Sequence, residues 1–401
     1  MKLLCLVLLL SSCNVTKILT DGETKVDDGF FDNSKTPEET TTPEVYEKNL
    51  IFFECGNSPC FLDTSTNLVE TIPGPLSITL SSPANYNYFD SAIFFTAYNG
   101  TNTSLFKYDL VSKTTLEISL FGSNNSDPRK FVKYSGDLYF LAKTTAETTG
   151  TLCKIVVGNN TPDCRGTYIT SDAYYLAAST SGLFVCYQSA GDRLHTIAMD
   201  GSFTKTVITS PAVISCSSLL TAKAHISNQF LFDLAYTNSF VRYNTSLNTS
   251  ETVNFGAAPS TLSLEHDGTT AYFFFSDGAQ LYYMTETSII TSPLEITAVT
   301  GNYNPSIRLI QATPDGFLFT DNDAVSNPQV FQVNKDNTNL YNVTNFSSNT
   351  AILYFRGMSR GLYIFNYSTI YFYANDGTTE TISTSNISNT HFETIWEHEM
   401  N

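Results

Sequence analysis

Cysteines, acidic turns and scattered histidines are the residues of this 401-residue chain whose types and spacing could do chemistry. Of eight cysteines, Cys5 and Cys13 lie at the very start, and Cys55, Cys60, Cys153, Cys164, Cys186 and Cys216 lie in the body. An even set in an exported chain points to disulfides. In FECGNSPCF the stretch Gly56-Asn57-Ser58-Pro59 is turn-rich, so Cys55 and Cys60 are expected to face each other across a hairpin. Gly158, Asn159, Asn160 and Pro162 predict the same for Cys153 and Cys164. Residues facing each other in antiparallel strands lie about 4.5–5.5 Å apart, within disulfide reach. Cys186 and Cys216 then pair by elimination. A zinc site is the rival reading, but no Cys-x-x-Cys pair occurs and no histidine stands at matching spacing.

The acidic residues offer two weaker patterns. Asp321-Asn322-Asp323 is an Asp-x-Asp turn of the kind that can bind calcium, which makes Asp321 and Asp323 weak metal candidates; no metal is expected. Asp90, Asp137 and Asp315 each precede an apolar run. On a cyclic scaffold they could ring one face and bind a cation or a sugar, or serve as glycosidase acids. The plainer reading is turn chemistry, since Asp beside Gly suits tight turns. The five histidines, His195, His225, His266, His391 and His398, are scattered. A serine hydrolase needs a Gly-x-Ser-x-Gly elbow, and none is expected. No catalytic residue and no cofactor is assigned.

The elements that must position these residues are strands. Charged residues are 15% of the chain, against roughly 25% in an average soluble protein. Thr, Ser, Asn, Tyr and Phe replace them, a mixture that favours strands and turns. Most of the 29 Phe and 23 Tyr fall at strand positions and are expected in the core. Tyr98, Tyr236 and Tyr303 fall in loops and are candidates for stacking on a ligand.

The strands repeat. The runs NLIFFEC, SAIFFTAY, DLYFLAK, GLFVCYQ, QFLFDLAY, AYFFFSDG, GFLFTDND and GLYIFNYS begin their apolar stretches at Leu50, Ala92, Leu138, Leu183, Phe230, Ala271, Phe317 and Leu362. The spacings are 42, 46, 45, 47, 41, 46 and 45 residues. A second aromatic-rich run, a polar turn and a short Thr- or Ile-rich run follow. A unit of about 45 residues with four short strands is a propeller blade. The expectation is an all-β, eight-bladed propeller with four-stranded blades over residues 46–401, seven blades being the alternative. The first unit lacks a strand before NLIFFEC, so HFETIWEHE at the C-terminus should supply its innermost strand, close the ring and give Trp396 a packing position. An irregular sandwich array with chance periodicity is the rival. Propeller peptidases of the prolyl type carry a separate hydrolase domain, for which no residues remain.

The start of the chain speaks to location. Leu3 to Leu10 is an apolar run behind Lys2, too short for the roughly 20 residues of a spanning helix. Such a run followed by small residues is the pattern of a secretory signal. The order Leu10-Ser11-Ser12-Cys13 resembles a bacterial lipobox. That resemblance implies a signal peptide over residues 1–12, diacylglycerol on the Cys13 thiol and acylation of the new N-terminus. The alternative is a secreted protein cut near Ser11 or Ser12. Eleven Asn-x-Ser/Thr sequons, among them Asn99, Asn102, Asn244, Asn248 and Asn366, keep a secreted glycoprotein open. Residues 13–45 are acidic and rich in Thr and Pro, and read as a disordered tether.

Net charge is −17, which argues against nucleic acid, whose phosphates need a basic face. The combined plan is similar to the propeller lipoprotein of the bacterial outer-membrane assembly machine, although the single Trp means that family's Trp-containing repeat is missing. The expectation is an exported protein, held to the outer membrane or cell surface through Cys13, that binds a protein or glycan partner. A carbohydrate hydrolase or lyase with carboxylates at the channel is the alternative, and a structural secreted glycoprotein the second.

Overall fold

A computed structural model describes residues 50–120, 127–143, 149–170, 173–187, 193–198, 205–208, 229–233, 239–254, 260–267, 270–276, 281–285, 294–296, 309–322, 327–336, 339–346, 351–358, 360–384, 386–387 and 392–395. The signal, the Cys13 lipobox and the tether expected over 1–45 lie outside these residues. So do Cys216, Tyr236, Tyr303, Asp323 and Trp396.

The described chain is all β apart from one 3-10 turn, Pro75–Ser77. Its strands form a propeller of four-stranded antiparallel sheets, taken in chain order. Sheet I joins Leu50–Cys55, Ser58–Asp63 and Leu68–Thr71 to the C-terminal Glu393–Ile395. Sheet II is Ser81–Phe89, Ala92–Tyr98, Thr103–Asp109 and Thr114–Ile118. Sheet III is Arg129–Tyr134, Asp137–Lys143, Thr149–Val156 and Asp163–Thr170. Sheet IV is Ala173–Ser179, Gly182–Tyr187, Arg193–Ile197 and Lys205–Val207. Sheet VI is Ser260–His266, Ala271–Ser276, Leu281–Thr285 and Leu294–Glu295. Sheet VII is Ile310–Ala312, Gly316–Asn322, Pro328–Asn334 and Leu340–Asn342. Sheet VIII is Tyr354–Met358, Gly361–Phe365, Thr369–Ala374 and Thr379–Ser383.

These are seven four-stranded blades against the eight expected from the spacing. The remaining unit, sheet V, has three strands among the described residues: Gln229–Asp233, Ser239–Asn244 and Thr249–Asn254. Residues 209–228, which precede it, lie outside them.

Burial falls from the second strand of each blade to its outer edge. Leu50–Cys55 and Gly361–Phe365 are buried almost throughout, whereas Leu68–Thr71 and Thr379–Ser383 are largely exposed. The cause is face-to-face packing, which covers both faces of a sheet near its middle and leaves its rim to water. A strand covered on both faces reads as a continuous apolar run, not an alternating one. Among the described residues six seams each have their own core. Phe52, Tyr86, Phe95 and Phe106 fill the seam of sheets I and II, and Phe94, Ile118, Phe140 and Cys153 that of II and III. Leu141, Leu176 and Val185 fill III–IV, Phe274, Phe317 and Phe331 fill VI–VII, and Leu318, Phe355 and Leu362 fill VII–VIII. Phe53, Tyr363, Phe365 and Phe372 lie between sheets VIII and I.

The disulfides follow the hairpins, with one correction of register. Cys153 stands directly opposite Cys164, Cα to Cα 4.0 Å, and the two are bonded. Cys55 and Cys60 are also bonded, at 5.8 Å, but they do not face each other. Cys55 pairs with Ser58, and Cys60 with Phe53. Gly56 and Asn57 take φ of 57° and 69°, so this is a two-residue turn with both central residues left-handed, not the four-residue loop expected. The shorter turn slides the register by two, and the bond runs diagonally. Cys186 is disulfide-bonded as well. Non-reducing peptide mapping should link Cys55 to Cys60 and Cys153 to Cys164; free thiols at either pair would refute these hairpins.

Candidate functional site

The first strands of neighbouring sheets lie against one another: Ser81–Phe89 against Arg129–Tyr134, Arg129–Tyr134 against Ala173–Ser179, and Ser260–His266 against Ile310–Ala312. These innermost strands surround the propeller axis, where such folds hold ligands. Their composition is mixed. Sheet II offers Ser81, Ser82, Asn85 and Asn87, sheet III Arg129, Lys130 and Lys133, and sheet VII Gln311. Arg356 of sheet VIII reaches Glu265 of sheet VI at 3.4 Å, past the intervening sheet. Gln311 is buried, and its amide clamps the neighbouring inner strand: Gly357 N donates to Oε1 at 2.7 Å, and Nε2 donates to Gly357 O at 3.1 Å.

The innermost strands are also irregular. Register breaks fall at Ser81/Ala84 and Ala84/Asn87 in sheet II, Arg129/Val132 in III, Ala173/Tyr175 in IV and Thr261/Ser263 in VI. Bulges re-aim side chains and increase local twist, as crowding at an axis demands.

Two of the three carboxylates that might have ringed one face, Asp90 and Asp137, have structural partners. Asp90 and Ser91 take φ of 52° and 56° in a tight turn. Asp90 accepts a 2.8 Å bond from Gly158 N of sheet III and lies 3.9 Å from Lys107. Asp137 pairs with Lys154 at 2.5 Å. Lys107 and Lys154 occupy equivalent places, each directly opposite an aromatic residue, Phe94 or Tyr139, and over its ring. Asp315 sits exposed in the Thr313–Gly316 turn.

One arrangement recurs at three seams. The turn between the two innermost strands of one sheet bonds the turn between the two outermost strands of the next. Asp90 does so to Gly158 across II–III, and Asp267 to Lys335 across VI–VII. Across VIII–I, Arg360 donates to Thr64 O, and the Tyr363 hydroxyl lies 3.1 Å from the same carbonyl and 2.7 Å from Asn67 Oδ1. Sequence reasoning missed these contacts because the partners are up to 299 residues apart.

Tyr363 supplies a test with a pH signature. Burial, ahead of all charge effects, raises its phenol well above the ordinary value. A raised folded pKa means that the bond's stability is complete below the unfolded value near 10 and is lost as pH climbs towards the folded one. Tyr363→Phe should cost about 1–3 kcal/mol, since Asn67 Oδ1 loses a buried donor. It should also weaken this alkaline loss of stability above about pH 10, measured by denaturant unfolding across pH.

The remaining sequence candidates are placed as follows. Tyr98 is 40% exposed at a strand end, and its hydroxyl donates to Gly100 O at 2.9 Å. Asp321 is buried in Gly316–Asn322, opposite Gln329. Among the described residues no group of three or more His, Cys, Asp and Glu side chains could hold a metal. His195 lies mid-strand between Val185 and Val207. The Gly-x-Ser-x-Gly spelling does occur, contrary to expectation, at Gly357-Met358-Ser359-Arg360-Gly361. Here it joins two antiparallel strands, Tyr354–Met358 and Gly361–Phe365. A nucleophile elbow needs a strand-to-helix turn instead, so this occurrence lacks the required context.

No family's sequence profile matches the chain, and no curated protein matches it. Solved structures do, through fold alone. The dihydro-heme d1 dehydrogenase NirN in complex with DHE superposes with a TM-score of 0.57 at 9% identity, over 91% of this chain and 78% of that one. Apo AztD from Citrobacter koseri superposes at 0.56 with 11% identity, over 87% and 98%. A prolyl endopeptidase superposes at 0.53 with 11% identity, over 76% of this chain, which spans half the length of that protein. With the sheet topology, these likenesses establish an all-β propeller with four-stranded antiparallel blades.

Proposed function

We propose that the chain is an eight-bladed propeller, closed by Glu393–Ile395 and held to the outer membrane or cell surface through lipid on Cys13, that binds a protein or glycan partner. The observation that carries the binding reading is the fate of the acidic turns. Asp90, Asp137 and Asp267 tie strands and sheets together through Gly158, Lys154 and Lys335. A sugar-cleaving site needs a pair of carboxylates set about 5–10 Å apart and open to substrate, whereas these have structural work. The fold also accommodates a ligand in NirN, solved with DHE.

Two features support closure into eight blades. Leu50, Ile51 and Phe52 pair with Ile395, Thr394 and Glu393, which completes sheet I as a four-stranded unit. The seam of sheets VIII and I carries the same turn-to-turn bonding as II–III and VI–VII. An end seam built like the internal ones is what a continuous ring requires. Sheet V, three-stranded among the described residues, then counts as the eighth blade.

The test is purification from native membranes after crosslinking. The expected result is an N-terminal peptide starting at Cys13 with diacylglycerol, and a crosslinked partner or a retained glycan. An unmodified N-terminus would overturn the anchor. Catalytic release of sugar from a polysaccharide panel would overturn the binding reading.

A further inference from the structure

The two faces of the propeller differ in chemistry at sheets VIII, I and II. In a four-stranded antiparallel blade the first and third turns share one face, and the second turn and the connection to the next sheet share the other. On the first face Asp63, Asp90, Asp109, Lys113, Arg360 and Asp376 stand in the turns or at their edges. The other face is neutral. Its turns, connections and adjoining strand ends comprise 56–58, 72–87, 98–104, 366–369, 384, 386 and 387, and none of these residues is charged. That is a departure in a chain of 15% charged residues and net charge −17.

Backbone pairing makes this neutral face one continuous strip. Tyr98, at the second turn of sheet II, stands opposite Ser81. Ser82 N donates to Asn57 O at 3.1 Å, and the Ser82 hydroxyl donates to Asn57 Oδ1 at 3.4 Å. Asn57 is the tip of the Gly56-Asn57 turn of sheet I, and the Cys55–Cys60 bond fastens that turn at its base. Gly56 N donates to Asn386 O at 2.7 Å, and Ile387 N donates to Tyr367 O in the second turn of sheet VIII. The strip thus crosses three sheets, about 20 Å at the ~10 Å spacing of packed sheets. Its ends are Tyr98, 40% exposed, and Tyr367, 55% exposed. They are the only exposed Tyr or Phe among the described side chains. Between them Asn57, Ser82 and Asn386 are exposed.

We propose that this strip binds a neutral oligosaccharide laid across sheets VIII, I and II. A sugar ring has an apolar C–H face that stacks on an aromatic ring, and Tyr98 and Tyr367 offer two such platforms. An Asn side chain donates and accepts at once, which matches a pair of adjacent sugar hydroxyls. Asn57 and Asn386 hold that place between the platforms. A charge-free surface suits an uncharged ligand. A protein partner steered to so acidic a chain would bring cations, and this face offers them no anion. The proposal rests on the binding reading above and narrows it to a glycan and to one face.

The test is calorimetric titration of the full chain with cellohexaose, maltohexaose and mannohexaose, with glucose and hexagalacturonate as controls. Saturable binding of at least one neutral hexasaccharide is expected, about tenfold or more tighter than glucose. It should be unchanged at about 1 M salt, where charge effects reach only about 3 Å. Tyr98→Ala and Tyr367→Ala should each weaken it about tenfold or more, as for an aromatic anchor. Tyr98→Phe keeps the ring and should keep the binding. Val111→Ala, at an 86% exposed side chain on the ionic face, is the control and should change nothing. All these positions are exposed, so the variants should melt like the parent. No binding of any neutral hexasaccharide, tighter binding of hexagalacturonate, or unchanged binding in both Tyr→Ala variants would overturn the strip. So would glycan attached covalently to Asn99, Asn366 or Asn386 of the native protein, each of which heads an Asn-x-Ser/Thr sequon. A native protein partner crosslinked equally well after both Tyr→Ala changes would overturn the strip and leave the binding reading standing. Release of sugar from a bound hexasaccharide would overturn the binding reading and leave the strip standing as a substrate subsite.

Discussion

Replacing Phe392 with alanine should destabilise the protein by about 3 kcal/mol and make it self-associate. The ring stacks on Tyr354 at 4.5 Å and 5° and meets Phe365 edge-on at 5.2 Å, both in sheet VIII. It also stacks on Phe53 of sheet I at 6.2 Å. Phe392 immediately precedes Glu393–Ile395, the strand that pairs with Leu50–Cys55. One side chain thus packs both sheets and docks the last strand. A fully buried Phe→Ala change costs about 3–5 kcal/mol. Phe392 is half-buried, which lowers the figure, but its three ring contacts add about 0.5–1.5 kcal/mol apiece.

The second half of this expectation is structural. With the last strand loosened, Leu50–Cys55 becomes an exposed edge of unpaired N–H and C=O groups, a template for another chain. Denaturant unfolding and light scattering on the same sample check both. Phe346→Ala is the matched control: its ring meets Tyr371 edge-on at 5.2 Å in the seam of sheets VII and VIII, away from the last strand. It should lose comparable stability without association. A loss under about 1 kcal/mol for Phe392→Ala, with no association, would mean that the C-terminal strand does not hold the seam.

Replacing Asp267 with alanine should cost about 3 kcal/mol, shared between its own turn in sheet VI and the seam of sheets VI and VII. The Asp267 side chain is 1% exposed. Its Oδ1 accepts from Thr270 N at 2.8 Å, and its Oδ2 from the Tyr272 hydroxyl at 3.0 Å and from Lys335. Alanine leaves all three donors without this acceptor, and Lys335 keeps a charge over the Tyr272 ring. Breaking one side of a buried pair costs about 3–5 kcal/mol; Lys335 is 36% exposed, which lowers the figure.

Asp267→Asn keeps the Thr270 bond and should cost about half as much. Lys335→Ala combined with Asp267→Ala should cost less than the two single changes together, as a double-mutant cycle reads directly. Asp90→Ala, at the equivalent turn of sheet II, should cost no more than about 1 kcal/mol, because its carboxylate is 24% exposed. A larger loss at Asp90 than at Asp267 would refute the ranking by burial.

Much of this architecture is legible in the residue order, for an identifiable reason. The second strands of sheets I, II and VIII are covered on both faces, so LIFFEC, AIFFTAY and GLYIF read as apolar runs without needing a partner to explain them. Their regular spacing follows from one blade per unit. The Cys153–Cys164 bond was legible too, because a hairpin is local and its pairing rule is simple. The diagonal bond of Cys55 was not, because a two-residue and a four-residue turn differ only in whether Gly56 and Asn57 take positive φ.

Tertiary structure alone decided the innermost strands. Those of sheets II and III are bulged and rich in polar residues, so neither period survives in SSPANYNYF or RKFVKY. The same holds for the acidic turns. Asp90, Asp267 and Asp315 look alike in sequence as turn residues, yet one bonds a backbone amide, one is buried with a lysine and one faces solvent. Lys130 is the extreme case: the register sets both Lys130 and Phe131 against Phe140, and only the stacking of the Phe131 ring on Phe140 tells the two apart. Local patterns record how deeply a strand is covered. Which turn meets which turn depends on where the chain returns after many residues, and no local pattern carries that.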